Sequence, residues 1–230
     1  MLARVDGLRG PPPDPGDNRG VSDPREVRPP QQRRSREAWE RILAVGADLF
    51  VEGGLDALSI GEVCRRAKVS APSLYARVDG RDGLIAAVYE HLMVRVRASD
   101  RELLEALPAG SGTPAQRIAA VVEAVAEQFS RNADVLRPII AASLQDEWVH
   151  ARGVQESRRL VDGLADALDL GEEAGRDIAT MLFAELVMST MYGIDFASPH
   201  SPDDADLRAR LVRMAMARAG IVDTGRRASR

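Results

Sequence analysis

Apolar residues recur at helical spacing along most of this chain, and nowhere does the sequence alternate with the period of two that marks a half-buried strand. Trp39, Ile42, Leu43, Leu49 and Phe50 predict a helix over 36–52, stopped by Gly53-Gly54. Ile60, Val63, Cys64 and Ala67 fall on one face of a second helix. Ser59 is its N-cap and Glu62 stands three residues on, the spacing of a capping box in which each side chain accepts the other's backbone N–H. Lys68-Val69 is a turn. Ser70 caps a third, very short helix, about 71–77, with Pro72 in its first turn, where a missing N–H costs little. Leu74 and Val78 can pack inward, while Ser70, Ala71, Ser73, Tyr75 and Arg77 are free to point out. A short helix held by a preceding one, and exposing small polar groups, is what major-groove recognition by a helix-turn-helix requires.

Beyond the turn Asp79-Gly80 the pattern predicts a long helix, about 81–107, with Leu84, Val88, Leu92, Val96 and Leu103 on one side. Thr113, Pro114 and Gln116 form an N-cap, a first-turn proline and a second capping box. The helix they open runs to about 131, with Ile118, Val121, Val122, Val125 and Phe129 inward. Further helices are expected over about 134–146, where Pro138 implies a kink or a later start, then 148–168 and 172–196. Ser201-Pro202-Asp203-Asp204 starts the last, which ends near Gly220. The expected architecture is all-α. A helix-turn-helix domain over 35–82 is joined by the long helix to a helical regulatory and dimerisation domain over 83–221. The Pro-, Gly- and Arg-rich segment 1–34 reads as a disordered arm, and 222–230 as a tail. The arm's basic end, QQRRSRE, has two readings: a contact with DNA phosphates or minor groove, or a solubilising tail.

Composition narrows the function. The chain has 230 residues, 45 % of them hydrophobic and 4 % aromatic, so its core is built mainly from Leu, Val, Ile, Ala and Met. The formal net charge of −4 excludes a uniformly basic coat. A nucleic-acid footprint must be a local patch, and Arg33, Arg34, Arg36, Arg41, Arg65, Arg66, Lys68, Arg77 and Arg81 supply one, with acidic residues interleaved. The single cysteine, Cys64, excludes an intrachain disulfide. It reads as a small core residue or, beside its basic neighbours, as a redox-sensing thiol with a lowered pKa. No apolar run resembles a signal peptide or a membrane span, so the expectation is a soluble, cytoplasmic protein.

From Ile42 to about Leu84 the sequence resembles the TetR family of bacterial transcriptional regulators. The features that carry the resemblance are Leu49-Phe50 at a helix end, Gly53-Gly54, Ser59 as a cap, the Leu74-Tyr75 pair and Arg81 opening the fourth helix. Three positions depart from the pattern. Lys68 and Pro72 stand where glycine is usual, and Ala76-Arg77-Val78 replaces basic or histidine residues and an aromatic. The resemblance implies a DNA-binding regulator, and Tyr75 as a phosphate ligand through its hydroxyl. Ser59 and Arg81 would hold further phosphates at helix N-termini. Ser70 and Ser73 can reach bases or phosphates, and Ala71 and Pro72 thymine methyls. Lys68 belongs to the basic patch, and Arg77 alone on this helix could reach a guanine.

The expected function is repression by a homodimer on double-stranded operator DNA, released by a small-molecule effector. The alternative class is a helical-bundle enzyme or a ligand-independent interaction protein. No catalytic set, cofactor motif or metal-ligand spacing was found. Glu147 and His150 form a single Glu-x-x-His pair, and a di-iron bundle needs two with further carboxylates. Trp148, His150, Phe183, Met188 and Tyr192 are candidate pocket residues, with Glu147, Glu185 and Asp195 as polar companions; ordinary core is the competing reading. Met181, Ala184, Met191, Leu207, Leu211 and Met214 are candidate dimer-interface residues. The long helix from Arg81 is expected to be the only element coupling the two parts.

Overall fold

In the computed structural model, residues 25–29, 33–107, 112–194, 196 and 203–221 are described; the remainder of the arm, Asp195, His200, Ser201-Pro202 and the tail lie outside them. Nine helices and no strand occur among the described residues. They are α1 (Arg33–Ala57), α2 (Ile60–Ala67), α3 (Ala71–Tyr75), α4 (Gly80–Ala106), α5 (Pro114–Arg131), α6 (Ala133–Ser143), α7 (Glu147–Leu168), α8 (Glu172–Tyr192) and α9 (Asp204–Arg218).

The local signals act largely as their chemistry demands. α1 breaks at Gly53 and Gly54, and Gly54 takes φ 64°, ψ −151°, a conformation that costs glycine least. Its start lies three residues before the expected Arg36, so part of the basic stretch assigned to the arm is helical. The Ser59 hydroxyl accepts from Glu62 N–H, but the reciprocal half of that capping box is absent. The Glu62 carboxylate turns instead to Arg65 and Arg66, because two guanidiniums outbid one backbone amide. The second box, Thr113 with Gln116, is complete. Asp203 caps α9 by accepting from Asp206 N–H. α6 passes through Pro138 without ending. α8 stops at Gly193, with φ 91°, earlier than the expected 196.

Two apolar clusters make the core. The first joins α1, α2 and α3 to the N-terminal half of α4 and includes Ile42, Phe50, Leu58, Val63, Leu74, Leu84 and Val88. Gly46 is where α1 and α4 approach: a Cβ there would lie 2.5 Å from Val88 Cγ2. The second cluster joins Leu103 of α4 to α5, α7, α8 and α9 through Val122, Leu164, Leu182 and Leu211.

The first cluster also holds Val135, Ile139 and Ala142 of α6 and Val149 of α7. α6 packs directly on α1. The expectation that α4 alone connects the two parts is therefore incomplete: α6 is a second bridge. Residues 25–29 add a third contact. Arg28 pairs with Asp79 at 2.9 Å, and its N–H donates to Arg77 C=O. Arg25 pairs with Asp146, the α7 N-cap, and lies 5.0 Å from the Trp148 ring centroid. Arg117, which no sequence signal flagged, is buried and donates to the C=O groups of Gly112, Leu168 and Asp169. It thereby places a cation at the negative C-terminal end of α7.

Candidate nucleic-acid interface and cavity

α3 is fixed from behind by Leu74 and Val78, both fully buried. Ser70, Ala71, Pro72, Ser73 and Tyr75 face outward from it, and Tyr75 is half exposed. Ser70 occupies the N-cap position, but its side chain makes no capping hydrogen bond, which leaves the hydroxyl to other partners. Lys68 closes α2 in the left-handed region at φ 54°. The turn thus keeps the geometry a glycine would favour, at a cost of about 1–2 kcal/mol for the added Cβ.

Two of the sequence-assigned DNA contacts are otherwise engaged. The Arg77 guanidinium donates to Arg28 C=O, to Pro29 C=O at 3.0 Å and to the Ser35 hydroxyl. It ties the segment before α1 to the end of α3 and is not presented to a base. Arg81 donates to Leu55 C=O and Leu58 C=O, satisfying carbonyls left open where α1 ends. The Ser59 hydroxyl is exposed but capped to Glu62.

The basic patch is likewise thinned by pairing. Arg33 binds Glu37, Arg65 binds Glu62, Arg66 binds Glu52 and Glu62, and Arg41 reaches Glu37 C=O. The Arg65 and Arg66 guanidiniums hold the Glu62 carboxyl down at about 2. Arg34, Arg36 and Lys68 are exposed, and their side chains have no hydrogen bond or ion pair among the described residues. Arg34 and Arg36 flank Ser35, and Ser35 touches Arg77 just past α3, so the α1 start is brought beside the recognition helix. Cys64 is partly buried against the first cluster, and burial pushes its thiol up, opposite to what a redox sensor needs.

Residues 42–88 match the family described as bacterial regulatory proteins, tetR family. Over this segment the chain is similar to the TetR family of transcriptional regulators. It is 24 % identical over 187 residues to the A-factor receptor protein of Streptomyces griseus, covering 80 % of this chain and 63 % of that one. It is 26 % identical over 163 residues to an HTH-type transcriptional regulator of Mycobacterium tuberculosis, covering 67 % of this chain and 80 % of the relative. Among solved structures, a transcriptional regulator from Rhodococcus sp. Rha1 superposes with a TM-score of 0.62 at 22 % identity, over 80 % of this chain and 98 % of that one. That last likeness carries the TetR fold and no more. No described helix of this chain is long and apolar enough to cross a membrane.

Between α4, α5, α6, α7 and α8 lies a cavity of about 400 Å³. Met93, Val96, Phe129, Ile139, Leu160 and Phe183 give it apolar walls. Of the pocket residues read from sequence, His150 and Phe183 line it. Trp148 stands behind it, edge-on to the lining residue Tyr89 at 5.4 Å. Met188 and Tyr192 do not line it: they are 45 % and 55 % exposed on the outer side of α8. Glu185 pairs with Arg210, and Glu147 is exposed away from the lining. Among the described residues no cluster of three metal-ligating side chains occurs.

The assigned dimer residues divide in the same way. Leu207 and Leu211 are buried in their own protomer's core, and Met181 packs against that core. An apolar stripe on α9 meant a partner, but the partner is α5 and α8 of the same chain. Ala184 is exposed, and Met191 and Met214 are partly so.

Proposed function

We propose that this chain represses transcription by binding operator DNA as a homodimer, and that a small molecule in the cavity releases it. One observation carries the reading. Tyr89, Met93, Val96 and Ile139 line the cavity and belong to the same continuous cluster as Phe50 and Leu74, which hold the recognition helix. A ligand that prefers one arrangement of α4 and α6 therefore prefers one placement of α3, and that differential affinity is the driving force. One relative is named as a receptor, and a receptor needs such a site.

Ser70, Ser73, Ala71 and Pro72 face the major groove in this reading. Arg34, Arg36, Lys68 and the Tyr75 hydroxyl contact phosphates. A helix of five residues cannot bind tightly alone, and a two-fold dimer supplies the second half-site. The dimer forms through the exposed side of α8, with Ala184, Met188 and Tyr192, continued by Met214 of α9. Tyr192 stacks on the exposed Phe196 at 4.7 Å, extending an apolar patch of the kind that marks interfaces. The protein works in the cytoplasm, where its operator is.

Binding to the DNA upstream of its own gene, followed by fluorescence anisotropy at two salt concentrations, tests this. Specific binding that weakens steeply with salt is expected. Absence of specific binding would favour the alternative class, a helical-bundle enzyme or interaction protein.

A further inference from the structure

We propose that the cavity is built for an organic cation: an apolar body carrying one protonated amine, held by Asp100. The proposal rests on the cavity's being the effector site and names the class of effector it takes.

The lining holds two carboxylates, Asp100 and Glu156. Asp100 of α4 enters the cavity with a single hydrogen bond, from the Gln128 side-chain amide. It has no ion pair among the described residues. Burial, reinforced by the negative charge of Glu156, pushes its carboxyl up to about 6.

The Asp100 contact fixes the Gln128 amide with its nitrogen towards the carboxylate, which turns Oε1 the other way. That oxygen is buried and accepts nothing among the described residues, and Gln128 as a whole is only 4 % exposed. The Tyr89 hydroxyl is equally buried and without a partner, on a residue 1 % exposed. A buried acceptor left without a donor is costly, and both residues belong to the wall of the cavity.

Glu156, the other carboxylate of the lining, is already neutralised by Arg97 at 2.7 Å and Arg159 at 3.1 Å. Asp100 is thus the carboxylate in the lining that lacks a counter-charge. A hydroxyl brings one donor. An ammonium brings three donors and a positive charge, which matches an ionised carboxylate in an apolar cavity. Phe129, Phe183 and the aliphatic wall take the apolar body. The cation in the lining, Arg158, is exposed and so lies on the rim.

Three probes with one body separate the possibilities: 4-phenylbutylamine, 4-phenylbutan-1-ol and 4-phenylbutanoate, titrated calorimetrically into the full chain at pH 7.5. The amine is expected to bind at least about tenfold more tightly than the alcohol, the difference expected of a hydrogen bond to a charged group. Asp100→Asn should bring amine and alcohol within about twofold of each other by weakening the amine, again by the loss of that charged partner. Equal affinity for amine and alcohol in the unmodified protein would overturn the cation assignment and leave the cavity as an effector site. Tightest binding of the carboxylate would overturn it in favour of Arg158. Binding of none of the three would overturn both the assignment and the reading of the cavity on which it rests.

Discussion

Around Phe50 and Leu74 the large side chains are 0–2 % exposed, whereas around Phe129 and Phe183 similar side chains line a cavity of about 400 Å³. The first region must present α3 in one fixed pose, and close packing gives that rigidity. The second leaves space between its walls and keeps an unbalanced carboxylate and an unpartnered amide oxygen inside. These features reduce stability in the empty protein and make sense for a region that gains from a ligand. In the proposed function one chain thus contains a packed reader and an underfilled receiver, joined by α4 and α6.

The sharpest way to break this comparison is at α9. Leu211→Asp would put an unpaired charge into a fully packed site and should cost about 4 kcal/mol or more. Met188→Asp lies on the exposed side of α8 and should leave the melting temperature near wild type while yielding monomers. Thermal melts and light scattering on both variants separate the two effects. A Leu211→Asp protein that melts like wild type would mean that α9 is not packed inside the protomer.

The reader is tested at its tightest approach. Gly46→Ala drives a methyl into Val88 across α1 and α4, and should destabilise by about 1–3 kcal/mol in denaturant titrations. A gain in stability from alanine's higher helix propensity would show that the two helices have room to part.

The receiver responds in the opposite sense. The Asp100 carboxyl sits near 6 in the folded chain, above its unfolded value, so the folded state loses stability as pH rises from about 4 to 6. Asp100→Asn should therefore stabilise the empty protein by roughly 1–2 kcal/mol at pH 7.5 and change little below pH 4. Urea titrations at the two pH values check both the size and the sign.

The reader was largely legible in the sequence because its signals are local. Ser59 before Glu62, Gly53-Gly54, and Leu74 with Val78 each act within a few residues. The uses of Arg77 and Arg81 were not legible, since their acceptors lie 23 to 49 residues away, and a guanidinium reads alike whether it meets a phosphate or a carbonyl. On α9 the Leu207–Leu211 stripe showed that one face is covered but not by which chain. On α8 the methionines and aromatics were visible, but helical spacing alone does not say which faces the cavity and which faces outward. The polar end of the cavity was missed altogether. Asp100 and Gln128 come from different helices, 28 residues apart, and neither belongs to a motif.

Residues of the cavity wall and those that hold α3 share one core. The direct measurement is operator affinity, by anisotropy, with and without a saturating amount of whichever of the three probes binds most tightly. The account predicts that the occupied protein binds operator about 5- to 150-fold more weakly, and that operator weakens probe binding by the same factor. Identical operator affinity with the cavity empty and filled would contradict it.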